Sequence, residues 1–272
     1  MDLHKALIKA ALKIPRREAE LLAAHALGKG RAWVIAHGEY SLSATEAEAI
    51  ALTVEARALG SPIAYLVGER EFYGRPFKVD QRVLIPRPET ELLVEAALAR
   101  MPVVEASVLD LGTGSGAIAL TLALERPAIH VTAVDASAAA LDCASDNAAA
   151  LGAENIAFMH GQWYAPVAGW TFDLIVSNPP YVAGEDAHLK QGDLRFEPRQ
   201  ALTDGSGDGL DSIRAIVAGA PAHLAQGGWL LLEHGYDQAP ACAALLAEAG
   251  FTECVALNDL AGIPRVAGGR KL

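Results

Sequence analysis

The chain has few cysteines, no long apolar run and no surplus of positive charge, and each shortage removes a class of protein. Its three cysteines, Cys143, Cys242 and Cys254, are scattered along 272 residues with no C-x-x-C spacing, which argues against a zinc site and a disulfide framework. They read as packed thiols, and no metal constellation emerges. The longest strongly apolar stretches, such as Ala117 to Leu124 and Trp229 to Leu232, fall well short of the ~20 residues that cross a bilayer. An early acid, Asp2, and the polar residues after it interrupt any apolar start, so the N-terminus does not read as a secretory signal. A soluble, cytoplasmic, monomeric protein is expected, with no membrane partner. The formal net charge is -11, and residues 1 to 60 hold 8 Lys+Arg against 7 Asp+Glu while the remainder holds 14 against 26. Proteins that rely on phosphate contacts offer a basic surface, so this balance disfavours nucleic acid as a partner.

What is present is enough apolar material, 52% of residues, to fill a large core. Residues 1 to 60 read as helices only. Leu3, Ala6, Leu7, Ala10, Ala11 and Ile14 recur at helical spacing. Pro15 suits the first turn of a second helix that Gly28 ends, and Ser43-Ala44-Thr45-Glu46 is a capping-box pattern opening a helix to about Leu59. Residues 71 to 85, around Gly74, turn β-branched and aromatic and predict a hairpin linker closed by Pro86 and Pro88. From Glu89 onward, apolar strands at Ser107 to Leu111, His130 to Val134, Ile156 to Met159, Leu174 to Ser177 and Gly228 to Glu233 alternate with helical stretches, the pattern of βαβ units on a parallel sheet.

Two sites stand out on that sheet. Val108-Leu109-Asp110-Leu111-Gly112-Thr113-Gly114-Ser115-Gly116 places a glycine turn between a strand and a helix beginning near Ala117. Backbone without Cβ atoms, followed by free helix N–H groups, can approach a phosphate or an amino-acid carboxylate. About twenty residues on, a second strand ends in Asp135, the position from which a carboxylate reaches ribose hydroxyls. A dehydrogenase spaces its glycines G-x-G-x-x-G, whereas this turn is G-x-G-x-G after Asp-Leu and is similar to S-adenosylmethionine sites. The bland alternatives are a tight turn for the glycines and a helix cap for Asp135.

The second site is Asn178-Pro179-Pro180-Tyr181, at the carboxyl end of the strand Phe172 to Ser177, where open α/β sheets bind ligands. Two prolines fix φ and lack N–H groups, so the loop is stiff and its carbonyls are left to accept. The Asn178 side-chain oxygen and the Pro179 carbonyl could each take one N–H of a substrate –NH2, with the Tyr181 ring facing a planar group. An amide nitrogen is a poor nucleophile because its lone pair is delocalised. Holding both hydrogens out of plane helps to localise that pair toward a methyl donor, and no strong base is needed. The loop alone does not distinguish a glutamine amide from an adenine or cytosine amino group.

These motifs, with Ile85-Pro86-Arg87-Pro88-Glu89-Thr90-Glu91, Phe196-Glu197-Pro198-Arg199, Asp208-Gly209-Leu210 and Leu232-Glu233-His234-Gly235, resemble the protein glutamine-N5 methyltransferases, most closely the PrmC/HemK branch that modifies peptide chain release factors. The resemblance covers most of the chain; the N-terminal domain matches only in its general helical pattern. It implies an α/β, Rossmann-like S-adenosylmethionine-dependent methyltransferase domain with a seven-stranded, mostly parallel sheet over residues 87–272. A hairpin linker over 71–86 and an N-terminal helical domain over 1–70, helping to dock the substrate protein, complete the implied organisation. The implied cofactor residues are Gly112, Thr113, Gly114, Ser115, Gly116, Asp135, Trp163 near the adenine, and Asn178. The implied substrate residues are Asn178, Pro179, Pro180 and Tyr181, with Asn178 and Pro179 catalytic. The implied substrates are S-adenosyl-L-methionine, leaving as S-adenosyl-L-homocysteine, and the glutamine of the Gly-Gly-Gln loop of class 1 release factors. An adenine-N6 or cytosine-N4 DNA methyltransferase is the alternative. Glu89 and Glu91 suit a helix start, Arg87 and Glu89 lie in a motif that could face the substrate protein, and His160, His188 and His234 read as structural or exposed.

Overall fold

In the computed structural model, which describes residues 1–101 and 105–272, α1 (Leu3–Ala11) starts at Asp2, whose carboxylate accepts the Lys5 N–H at 2.8 Å. Helix α2 (Arg16–Leu27) ends at Gly28 in the left-handed region, φ 60°, where a Cβ would be strained. After α3 (Arg31–Ala36), the capping box opens α4 (Ala44–Ala58): the Ser43 hydroxyl accepts from the Glu46 N–H and the Glu46 carboxylate from the Ser43 N–H. Such a cap contributes about 1 kcal/mol. Helix α5 (Ile63–Val67) follows. Leu3, Leu7, Leu22, Val34, Ile50 and Val54 meet in one apolar cluster, the core of a compact unit spanning Met1–Glu69. Its buried carboxylate, Glu20, accepts from both Arg16 and Arg31, which offsets the cost of taking that charge out of water.

The second compact unit is Arg70–Leu272. Strands β1 (Glu69–Phe72) and β2 (Arg75–Lys78) pair as a two-stranded ribbon. Phe72 and Phe77 stand edge to face with centroids 6.0 Å apart and are buried in the same core as Leu93 and Leu120. The hairpin therefore packs as part of this unit. Then come α6 (Glu91–Arg100), β3 (Ser107–Leu111), α7 (Ala117–Glu125), β4 (His130–Asp135), α8 (Ala138–Leu151), β5 (Ile156–His160) and β6 (Phe172–Ser177). After a stretch of short 3₁₀ turns come α9 (Arg199–Leu202), α10 (Asp211–His223), β7 (Leu224–Glu233), α11 (Ala239–Glu248), β8 (Thr252–Asn258) and β9 (Pro264–Arg270).

Seven strands form one sheet in the order β5-β4-β3-β6-β7-β9-β8. The first five are parallel, and β9 runs antiparallel to both β7 and β8. Alternate residues of β3 face opposite cores: Val108 packs with α6 and α7, and Leu109 and Leu111 pack with α10 and α11. That double burial is why the strands read as continuous apolar runs. The chain leaves β3 toward β4 and β5, then returns to place β6 and β7 on its other side. The strand order reverses there, and the carboxyl ends of β3, β4 and β6 open onto a crevice, the general ligand position of open α/β sheets.

Candidate active site

A cavity of about 350 Å³ lies at that reversal, and Gly112, Gly114, Asp135, Trp163, Asn178 and Pro180 all line it. Its glycine wall has a conformational cause. Gly112, Gly114 and Gly116 have φ of 77°, 57° and 82°, values that L side chains rarely adopt. At Gly112 a Cβ would stand in ordinary contact with the Trp163 ring, at 3.8 Å, so it is the backbone conformation that selects glycine there.

Thr113, Ser115 and Gly116 are not among the cavity's lining residues; they build the turn. The Thr113 hydroxyl donates to Asp110 Oδ2 at 2.7 Å, and the Ser115 carbonyl accepts from Asn147 at 2.9 Å. A Cβ on Gly116 would come within 2.8 Å of Leu120. Asp110 is fully buried and its Oδ1 has no hydrogen-bond partner among the described residues. Burial, helped by the nearby charge of Asp135, pushes its pKa up to about 7 against the Thr113 hydrogen bond.

Asp135 ends β4 and is held by two backbone donors, the Gly114 N–H on Oδ2 and the Ser137 N–H on Oδ1, each at 2.8 Å. Burial raises its pKa and those donors oppose the rise. A carboxylate oxygen has two lone pairs, so each still has one for a ligand hydroxyl. Trp163 is, among the described residues, one of three non-glycine residues with positive φ, at 47°. A bulky side chain in that region costs on the order of 1–3 kcal/mol and is held there by its surroundings; here its ring stands against the glycine turn.

On the other side of the crevice, Asn178 follows β6, and its carboxamide nitrogen donates to Thr90 Oγ1 at 3.2 Å. The nitrogen is thus committed to the protein, and the oxygen is the end left for a substrate. Thr90 is buried at the end of a 3₁₀ turn over Pro88–Thr90. Pro179 is buried and Tyr181 half-buried, and neither lines the cavity. The Tyr181 ring packs against the α10 and α11 core and its hydroxyl donates to Glu233 Oε1 at 3.1 Å. That hydrogen bond fixes where the ring stands at the end of the loop.

Residues without an assigned role in the sequence complete the loop's support. Glu233 ends β7 one position beyond Leu232, which pairs with Ser177, so it lies level with Asn178 on the neighbouring strand. Burial pushes its pKa up to about 7, with the Thr90 and Tyr181 hydroxyls and Arg265 opposing. Gln238 Nε2 donates to the Tyr181 and Asp208 carbonyls, both at 3.0 Å, while its Oε1 accepts the Gly235 N–H at 2.8 Å. The left-handed Gly209 sits so close that a Cβ would be 2.2 Å from the Tyr181 oxygen. Glu197, buried, accepts from the Ile85 N–H at 3.1 Å and from Arg87, so Arg87 is tied to the protein. Glu91 accepts the Tyr73 N–H at 2.8 Å. His160 bonds the Ala136 carbonyl, His188 bonds Asp186, and buried His234 bonds the Gly235 carbonyl. The cavity is completed in part by Arg82, Gln162, Gln200 and Asp204. For Gln200 the available signal was its place beside the Phe196-Glu197-Pro198-Arg199 motif. Among the described residues no group of three or more His, Cys, Asp or Glu side chains is arranged to hold a metal, and no helix is long and apolar enough to cross a membrane.

Comparison with known proteins places this geometry. Residues 88–206 match the methyltransferase small domain model, and residues 3–68 match the PrmC N-terminal domain. A release factor glutamine methyltransferase of Xylella fastidiosa is 53% identical over 97% of both chains. The protein of that name from Bordetella pertussis is 52% identical over 94% of this chain and 95% of its own. Two solved structures share the fold. A Pyrococcus furiosus methyltransferase has 17% identity and TM-score 0.56, covering 74% of this chain and 90% of its own. The Thermus thermophilus 16S rRNA N2 G1207 methyltransferase, in complex with AdoMet and guanosine, has 24% identity and TM-score 0.55, covering 75% and 50%. With half its residues shared with such relatives along nearly its whole length, the chain belongs to the release factor glutamine methyltransferase family.

Proposed function

We propose that this chain transfers a methyl group from S-adenosylmethionine to the side-chain amide nitrogen, N5, of the glutamine in the Gly-Gly-Gln loop of class 1 peptide chain release factors, in support of translation termination in the cytoplasm. The observation that carries the reading is the orientation of Asn178: its nitrogen is given to Thr90, and its oxygen remains for a substrate –NH2 beside a glycine turn and a ribose-type acid in one cavity.

The donor fits the residues present, because the open glycine wall suits the amino-acid moiety, Asp135 the ribose hydroxyls and Trp163 the adenine. When bound, S-adenosylmethionine supplies an electrophilic methyl carbon on a sulfonium leaving group. Asn178 Oδ1 and the Pro179 carbonyl each accept one amide hydrogen, which holds the nitrogen lone pair out of conjugation and toward the donor. Positioning of this kind is worth ~7–11 kcal/mol at best. As the nitrogen–carbon bond would form the sulfonium carbon–sulfur bond would break, and the methylated nitrogen, strongly acidic, would give one hydrogen to water, so the loop needs no strong base. Residues 1–70 help dock the release factor, and exposed Ile8, Leu12, Leu52 and Leu59 supply apolar surface for it. Incubation of the protein with a release factor and labelled donor should place label on that glutamine. An unlabelled glutamine, or label on duplex DNA instead, would defeat the reading.

A further inference from the structure

Asn178 can work as an acceptor only if its carboxamide is kept from turning over, and a carboxamide that flips presents two N–H donors to a substrate that is itself a donor. The contacts around it supply a direction. Thr90 Oγ1 accepts from Asn178 Nδ2 at 3.2 Å, so the hydroxyl's one proton must go elsewhere. The carboxylate that the hydroxyl faces is Glu233, which Thr90 and Tyr181 both act on. Glu233 is 2% exposed, its Oε1 is occupied by the Tyr181 hydroxyl, and its Oε2 has no hydrogen-bond partner among the described residues. A buried carboxylate oxygen left unpaired is costly, and the Thr90 hydroxyl, which acts on this carboxylate, has a proton to give it.

We propose that Glu233 is a positioning residue for methyl transfer, acting through the Thr90 hydroxyl to hold the Asn178 carboxamide with its oxygen toward the substrate. The inference rests on the role assigned to Asn178 above. In the ionised state Glu233 can only accept; Thr90 then donates to it and accepts from Asn178, and the chain has one sense. A protonated Glu233 can donate to Thr90, whose own proton then favours the Asn178 oxygen and turns the carboxamide round. The charged and titratable groups facing Glu233 are Tyr181, whose own pKa burial and Glu233 raise, Arg265, which favours its ionised form, and Glu89, which disfavours it. With Glu233 pushed up to about 7, turnover should be full above that pH and fall below it.

The test uses the full-length protein, a release factor and saturating donor. Thr90→Val and Glu233→Gln should each lower kcat about tenfold, the effect of about 1.4 kcal/mol, with donor affinity unchanged. Thr90→Ser, which restores the hydroxyl, should recover most of the rate, and Glu233→Gln should remove the acid limb of the kcat profile. In an Asn178→Ala background neither change should lower the rate further, as expected of residues that act through Asn178. A readout free of turnover completes it: in protein carrying 15N-asparagine, the Asn178 carboxamide signal should shift between pH 6 and 8 in the parent and not in Glu233→Gln. A wild-type-like kcat in Thr90→Val, full additivity with Asn178→Ala, or an Asn178 signal indifferent to Glu233 would each overturn the proposal. An absence of label on the release-factor glutamine in the parent, with the 15N shift intact, would instead defeat the assigned substrate and leave the chain from Glu233 to Asn178 supported.

Discussion

The two sides of the crevice are built by different means. The wall under β3 and β4 is largely backbone: three left-handed glycines, and Asp135 fixed by the N–H groups of Gly114 and Ser137, all within a short stretch of chain. The side under β6 and β7 is held by side chains from distant places. Thr90, Glu233 and Gln238 lie 88 residues before Asn178 and 52 and 57 after Tyr181. A wall made of backbone is rigid as soon as its strands pair, whereas a loop of prolines has no N–H groups of its own to donate and must be aimed by its neighbours. The first arrangement suits a ligand that is always the same; the second lets one acceptor loop be tuned for a particular –NH2 group.

If the division is real, the two sides separate in kinetics. Asn178→Ala removes the acceptor without touching the glycine wall, and the largest effect is expected there. The kcat should fall by about 10²–10³, the cost of losing one aimed polar group at a reacting centre, while the donor dissociation constant measured by calorimetry changes little. Unchanged turnover would contradict the role of that side chain. A large loss of donor binding would show the two sides to be one.

Asp135→Ala probes the opposite wall. Hydrogen bonds to a charged group contribute about 1.5–3 kcal/mol, so donor affinity should weaken by about tenfold to a hundredfold. With donor raised to saturation, kcat should stay within a few-fold of the parent. A collapse of kcat at saturating donor would mean that Asp135 also aims the acceptor side.

The same division explains what could be read in the sequence. The parallel strands, the glycine turn and Asp135 are local patterns, legible because burial on both faces makes apolar runs and because left-handed turns select glycine. The ribbon formed by β8 and β9 was not legible. Thr252–Asn258 carries Glu253, Cys254 and Asn258, and Pro264–Arg270 contains Gly268 and Gly269, a composition that reads as loop. Gly268 is required because a Cβ there would be 2.4 Å from the Leu230 carbonyl, a fact of strand packing rather than of local propensity. On the acceptor side, Thr90 and Glu233 stand inside motifs quoted for resemblance, yet no spacing rule brings them to Asn178. The adjacency of β6 and β7 brings Glu233 there, and the packing of the turn Pro88–Thr90 against β6's end brings Thr90. Tyr181 was visible as an aromatic residue, but its partner Glu233, and hence the direction of its ring, was not.

The smallest expected effect sharpens the comparison through pH. Asp110, beneath the glycine wall, has a pKa pushed up to about 7 by burial, against about 3.9 for an aspartate in an unfolded chain. Between those values the folded chain keeps a proton that the unfolded chain has lost. The contribution to stability is therefore fully present below about pH 4 and is lost as pH rises toward 7. Asp110→Asn keeps an acceptor for the Thr113 hydroxyl and has no charge to desolvate. It should melt with the parent at pH 4 and several degrees above it at pH 8, the gap opening as pH rises toward 7. Glu233 carries the same sign, so the parent's slope should be reduced by Asp110→Asn and not abolished. Thermal unfolding of donor-free protein across that range decides it. A variant less stable than the parent at pH 8 would mean that Asp110 is ionised and paired in the folded state, and that the backbone wall, like the acceptor loop, depends on a charge held beneath it.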